Sequence, residues 1–592
     1  MRILPEFPET DDIMKDFVKT MLAVICAFIV MGILRFLFFL VFLGSAAMGS
    51  STPAIPRSGA VLDLDMSQFT LAEQTDNEPV PQFSLMGGIS TNMVSVGILD
   101  ATRALEEAAN DPAIKFAYLR ADAASGGIAQ LEEFRKALST FRASGKPILA
   151  YTESPSNGSY YLASVADKIL MGSAHGGTYQ LVGLSSQMIF LKDILDKLGV
   201  NVQLIRHGKY KSAGEMFIRN SSSPENREQT QVMINSMWSA ISAPMAASRD
   251  LSVDRFNELI DELSFVVPED FVKHGLVDEL VDHEGLEKKI CTLAQVDDIK
   301  KVHLVPLADY VEAKVSAGVS RDKVAVIYAE GEIVDGDAIS EVAGDRFVRI
   351  VEKVRKDKDV KAVVLRVNSP GGSVSASVKI RTALDRLMQE KPLVASYGDY
   401  AASGGYWISS GCQKIYADAT CLTGSIGVFS MIPEFSKVAK KVGVGIETVG
   451  SNKHSDMLSL MRPFDAAETA YLQASVEDIY ELFVNLVAKS RDLSVEQVDA
   501  IAQGRVWAAT DALQIGLVDE IGGLPEAISY AAALADLNSS DAYSVEGYPA
   551  PPTFLQQLME QFGANTDSDI SVFLNYEPGR MYARIPYTYD IR

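Results

Sequence analysis

The chain is poor in the residues that would announce a metal centre, a cystine framework or a nucleic-acid surface. Four cysteines occur in 592 residues, Cys26, Cys291, Cys412 and Cys421, with neither C-x-x-C spacing nor a paired pattern. They imply no metal site and no disulfide scaffold. Positive charge is also scarce: 54 lysines and arginines face 77 acidic residues, for a net charge of -23. No basic stripe exists to displace the counterions of a nucleic acid, so that class of partner is excluded. Histidines number six, His175, His207, His274, His283, His303 and His454, so few candidates exist for a histidine base. Nothing in the composition calls for a cofactor.

What the chain does have begins near its N-terminus. Between Phe17 and Phe42 nearly every residue is apolar, broken by Arg35. At about 1.5 Å per residue such a helix spans a bilayer. The apolar core exceeds a usual signal-peptide core, so an uncleaved signal anchor is expected; Ser45-Ala46-Ala47 keeps a cleaved signal peptide as the rival. Lys15 and Lys19 lie at its start and the next basic residue after it is Arg57, which puts the N-terminus in the cytoplasm and the chain after about Ser50 outside the inner membrane. Arg35 marks either an oligomer contact within the membrane or a side chain that snorkels to the surface.

The remainder reads as a repeat. Lys115-Phe116-Ala117-Tyr118-Leu119-Arg120 answers Lys361-Ala362-Val363-Val364-Leu365-Arg366, and Gly126-Gly127 answers Gly371-Gly372. Lys146 to Ala150 matches Lys391 to Ala395, Ser248 to Val253 recurs letter for letter at Ser490 to Val495, and Gly275 to Glu279 recurs at Gly516 to Glu520. Each half alternates short β-rich runs with amphipathic stretches such as Phe347, Ile350, Val351 and Val354, the βαβ pattern of mainly parallel sheets. A long helix is expected after Ser223-Pro224-Glu225 in the first half and after Asp465-Ala466-Ala467-Glu468 in the second, each opened by a capping residue. The expected divisions are 1–50 for the N-terminus and anchor, 51–300 and 323–546 for the repeats, 301–322 for a linker and 547–592 for an unassigned tail.

The chemistry centres on Ala401-Ala402-Ser403-Gly404-Gly405-Tyr406-Trp407, a serine among small residues where a strand turns into a helix. Without Cβ atoms at Gly404 and Gly405, a substrate carbonyl can approach the backbone. Upstream, Asn368-Ser369-Pro370-Gly371-Gly372-Ser373 ends another β-branched run and opens a helix with free amides. Together the two elements could supply the two donors of an oxyanion hole. Laying Lys146 on Lys391 puts Gly158 where Ser403 stands, with Ser159 one place on as a weaker substitute. The base for Ser403 could be His454 in the same half, or Lys211 of Tyr210-Lys211-Ser212-Ala213 in the first half. A lysine serves only if burial keeps it neutral.

Tyr210 to Ala213, Asn368 to Ser373, Ala402 to Trp407 and Leu422-Thr423-Gly424-Ser425-Ile426-Gly427, following an N-terminal anchor, resemble the signal peptide peptidase A family in its long, duplicated form. The resemblance covers roughly residues 55 to 545. It implies an α/β fold of two tandem ClpP/crotonase-like repeats behind one transmembrane helix, and a serine protease with a Ser-Lys dyad. Carried over motif by motif, Ser403 is the nucleophile, Lys211 the general base, Ser425 the residue that orients the amine, and Gly372 and Gly404 the oxyanion-hole amides. It also implies a homotetrameric bowl on the periplasmic face of the bacterial inner membrane that degrades signal-peptide remnants, with no cofactor. Two rivals stand beside it: a crotonase-like acyl-CoA enzyme, which would need neither Ser403 nor Lys211, and an inactive protease-like scaffold.

Overall fold

The computed structural model describes residues 53–75, 93–315, 320–339, 341–539, 542–551 and 581–585, with Val30 and the backbone at 83–84 and 88–89. Met1–Ala54 and Ile55–Arg592 separate into two compact units. The anchor expected over 17–42 lies, apart from the helical Val30, outside the described residues. Among the described residues no helix is long and apolar enough to cross a membrane.

In the larger unit the repeat becomes a repeat of topology. The first half supplies β1 (Ala60–Asp65), β2 (Ile114–Arg120), β3 (Ile148–Thr152), β4 (Lys168–Gly172), β5 (Asn201–Arg206), β6 (Glu279–Val281) and β7 (His303–Pro306). All but β5 form one parallel sheet in the order β6-β4-β3-β2-β1-β7. The second half supplies β8 (Lys323–Glu330), β9 (Val360–Ser369), β10 (Gly371–Ser373), β11 (Leu393–Ala402), β12 (Ile415–Ala417), β13 (Leu422–Gly424), β14 (Phe429–Glu434), β15 (Val506–Ala508), β16 (Glu520–Ile521), β17 (Ser544–Tyr548) and β18 (Tyr582–Arg584). Its parallel core, β16-β12-β11-β9-β8-β17, lays corresponding strands in the same spatial order. The stretch expected as a linker thus contains the edge strand β7, and the unassigned tail begins inside β17.

Strand β9, Val-Lys-Ala-Val-Val-Leu-Arg-Val-Asn-Ser, is buried almost throughout, as a strand covered on both faces must be. The helices that matter for the site are α1 (Ile128–Ala143), α2 (Asn157–Ala163), α3 (Pro224–Ser248), α4 (Val374–Met388), α5 (Gly404–Ser409) and α6 (Ala466–Arg491). The two long helices start where the sequence indicates. The Ser223 hydroxyl accepts the Asn226 N–H with Pro224 at the first helical position, and the Asp465 carboxylate accepts the N–H groups of Ala467 and Glu468.

The halves share one core, in which Leu62, Leu119 and Phe134 of the first pack with Val326, Val364 and Ala527 of the second. At its centre Arg366, fully buried, donates from Nε to Glu73 at 2.7 Å and from a terminal nitrogen to Glu133 at 2.7 Å. Asp399, at the far end of β11, accepts the Ala129 N–H of α1 at 2.9 Å. A third sheet crosses between the halves. There β5 pairs antiparallel with β14, from Arg206 opposite Phe429 to Asn201 opposite Glu434. That pairing carries the segment after β5, and Lys211 with it, onto the second repeat.

Candidate active site

Ser403 occupies the junction between β11 and α5 with φ 57° and ψ -111°. A non-glycine residue in such a conformation costs about 1–3 kcal/mol and persists where its surroundings hold it. Here the Ser403 N–H donates to the Gly424 carbonyl at 2.8 Å, and its carbonyl accepts the Trp407 N–H at 2.8 Å. The side chain makes no capping bond to its own helix. In the first repeat the residue just ahead of the matching helix α2 is Ser156, with ordinary extended dihedrals and a hydroxyl that accepts the Ser159 N–H. Counted from helix starts, then, a serine is present in both halves, but one is spent on capping and the other is turned away from its helix. Ser159 returns the capping bond by accepting the Ser156 N–H at 2.8 Å.

What Ser403 turns toward is Lys211, whose Nζ lies 2.8 Å from its Oγ. The same nitrogen donates to the Ser425 carbonyl at 3.1 Å and to the Ser425 hydroxyl at 3.0 Å. All three residues are buried, with Lys211 1% exposed and both serines 0%. Burial pushes the Lys211 amine well below the ordinary lysine value, with no carboxylate opposing the shift. Ser425 is itself at φ 50°, and its N–H donates to the Arg505 carbonyl at 2.7 Å.

Several residues without a sequence signal hold the lysine. Gly504, at φ 77°, lets its backbone lie directly on the lysine: a Cβ there would fall 2.5 Å from the Lys211 Cβ and 2.7 Å from its nitrogen. The Tyr210 N–H donates to the Gln503 carbonyl at 2.9 Å, tying the segment to the second repeat. Gln229 of α3 donates to the Tyr210 carbonyl at 3.0 Å and to the Ser212 hydroxyl at 3.1 Å. Arg206 donates to the Lys211 carbonyl at 2.6 Å. A glutamine among the polar residues of a long helix and a glycine in a turn carry no mark of this role in the sequence.

The two glycines expected as oxyanion donors are neighbours: a Cβ built on Gly404 would lie 3.1 Å from the Gly372 amide nitrogen. His454, the alternative base, stands elsewhere in the hydrogen-bond network. Its Nδ1 is 2.9 Å from a Glu468 oxygen at the start of α6. With Asp465 these residues are a cluster that could hold a metal ion among the described residues, but Arg462 already neutralises Glu468 at 2.7 Å. Cys412 and Cys421 are free and buried, and burial pushes the Cys412 thiol up to about 12.

Comparison with known proteins agrees with the duplicated fold. Peptidase family S49 matches twice, at residues 140–297 and 385–538. Protease 4 of Haemophilus influenzae is 37% identical over 469 residues, 76% of each chain. Protease 4 of Salmonella typhi is 34% identical over 525 residues, 86% of this chain and 83% of that one. The chloroplastic serine protease SPPA of Arabidopsis thaliana is 30% identical over 526 residues, 86% of this chain and 74% of its own. With a double match in unbroken order and relatives that span most of its length, the chain belongs to peptidase family S49 and is a serine protease that carries the family's domain twice.

Proposed function

We propose that this protease is a membrane-anchored endopeptidase on a ClpP/crotonase-like fold, with Ser403 as nucleophile and Lys211 as general base. The observation that carries the reading is the 2.8 Å approach of Nζ to Oγ in a buried site where the amine is driven toward neutrality. A neutral amine has two N–H donors and one lone pair. Both donors are taken by the Ser425 carbonyl and hydroxyl, so the lone pair is left for the Ser403 O–H.

The sequence of events follows from that arrangement. As Oγ attacks the peptide carbonyl, its proton passes to Nζ, and the new ammonium is held by Ser425. The oxyanion takes the amides of Gly372 and Gly404, donors that need no reorganisation. The ammonium then protonates the departing amine, and water hydrolyses the Ser403 ester with Lys211 again as base. The walls nearby are apolar: Met233, Met237, Leu422 and Val506 form one cluster, and Ala213, Phe429 and Met431 another. Such walls suit signal-peptide remnants, which are apolar with small residues near their ends. The anchor at 17–42 would hold the enzyme to the inner membrane with its domains on the periplasmic side, as a homotetramer.

The test is hydrolysis of a small apolar peptide amide by the full chain, comparing wild type with Ser403→Ala and Lys211→Ala. Each change alone abolishes activity while near-ultraviolet circular dichroism is retained. Residual activity in Lys211→Ala would place the base elsewhere, with His454 next to be replaced.

A further inference from the structure

Strand β18 comes from the far C-terminal end of the chain yet lies inside the third sheet, between β10 and β14. It runs antiparallel to β10, with Gly371 opposite Arg584, Gly372 opposite Ala583 and Ser373 opposite Tyr582. Two flanking bonds set the phase of this ladder: the Val374 N–H donates to the Met581 carbonyl at 3.2 Å, and the Ile585 N–H to the Pro370 carbonyl at 2.9 Å. Hydrogen-bonded pairs recur at every second residue of an antiparallel pair. The pair between these two bonds is Gly372 and Ala583, so the Gly372 N–H faces the Ala583 carbonyl. That oxygen also lies 3.1 Å from where a Cβ of Gly404 would stand, the same distance as the Gly372 nitrogen. The carbonyl of Ala583 is therefore directed at the two amides assigned above to the oxyanion.

The residues around it are seated as subsites would seat a peptide. Ala583 is fully buried, and a larger side chain has no room there. The ring of Tyr582 packs 6.1 Å from that of Phe429, in the cluster with Ala213 and Met431. Arg584 pairs with Glu332 at 2.9 Å. Ile585 fills the apolar pocket of Met233, Met237, Leu422 and Val506.

We propose that the groove between β10 and β14 binds extended peptides by strand addition, and that residues 581–585 are its built-in occupant, a pseudosubstrate that competes with incoming peptide. The proposal rests on the Ser403 and Lys211 reading for what the groove is used for. Main-chain pairing with β10 supplies affinity, and the alternating side-chain pockets supply selectivity. The occupant indicates the preferred ligand: a small residue whose carbonyl faces the amides, an aromatic residue before it, and an apolar residue two places after it.

An occupant that fills the groove nine-tenths of the time raises the apparent KM about tenfold and leaves kcat alone. In the full chain, Ile585→Asp puts a carboxylate into an apolar pocket and ejects the strand. KM for an apolar peptide then falls about tenfold at constant kcat, and the added peptide Met-Tyr-Ala-Arg-Ile-Pro restores it competitively. Arg584→Glu, a milder change that sets a carboxylate against Glu332, moves KM the same way by a smaller factor and covers the case in which Ile585→Asp does not fold. Binding is read separately by fluorescence anisotropy of the labelled peptide on Ser403→Ala, which binds it more tightly once Ile585→Asp or Arg584→Glu is added. Unaltered KM together with unaltered peptide affinity in the folded variants overturns the proposal. Tighter binding in an enzyme whose activity does not depend on Lys211 would instead overturn the dyad and leave the occupied groove standing.

Discussion

Replacing Lys211 by methionine should inactivate the enzyme and stabilise it. The side chain is 1% exposed, and burial holds its amine well below the ordinary lysine value. In the unfolded chain the same amine titrates near pH 10.4. Between the folded and unfolded pKa values the unfolded state binds the extra proton, so the lysine costs stability there, by about 1.4 kcal/mol for every pH unit that separates the medium from pH 10.4. An amine that is still neutral at pH 8 costs on the order of 3 kcal/mol. Methionine fills a similar volume without charge, at the expense of about 1–2 kcal/mol for the Ser425 groups left without their donor. The net expectation at pH 8 is a gain of roughly 1–2 kcal/mol, read as a rise in Tm. The sign also fixes a pH dependence. Wild type gains on Lys211→Met as pH rises from the folded pKa toward about 10.4, and the difference levels off above it. Activity of wild type rises with pH through the folded pKa, because only the neutral amine accepts the serine proton. Denaturant melts of both proteins from pH 6 to 10.5 test this. A Lys211→Met variant less stable than wild type across the range, or a pH-independent difference, would mean that the amine is charged in the fold and the base assignment is wrong.

Other predictions follow from the packing around the site and the junction of the repeats. Gly504→Ala would put a Cβ 2.5 Å from that of Lys211; displacing the base by about 1 Å should lower kcat/KM on the order of a hundredfold, and a loss under twofold would remove Gly504 from the support of the site. Arg366→Met leaves the buried Glu73 and Glu133 without their cation. The expected loss is about 3–5 kcal/mol at pH 7.5, shrinking at pH 5 as the carboxylates protonate; urea melts at both values decide. Asp399 is pushed up to about 6 by burial, so the folded state holds a proton that the unfolded state has released above about pH 4. Wild type therefore loses roughly 2–3 kcal/mol as pH rises from about 4 through 6, and Asp399→Asn removes that slope; equal Tm profiles for the two proteins would refute it.

Much of this protein was legible in the chain itself, for reasons that are local. Strand and helix periodicity, capping at Ser223 and Asp465, and recurrence of whole segments are written in neighbouring residues. They carry the α/β class and the duplication, which the two sheets then repeat strand for strand. Ser403 was visible for the same reason, since a serine beside two glycines at a strand end needs no distant partner to be noticed. Its partner was a different matter. Lys211 and His454 were both open as bases, and only the antiparallel pairing of β5 with β14 brings the lysine, 192 residues away, to the serine. The property that makes it a base, loss of solvent, is contributed by Gly504 and the second repeat and so cannot be inferred from the residues beside it. Likewise Ser156 and Ser403 precede equivalent helices, and their difference lies in backbone angles imposed by what each repeat packs against. The seat of residues 581–585 against Gly372 is also a tertiary fact, because strand pairing depends on which edge is free in space and not on distance along the chain.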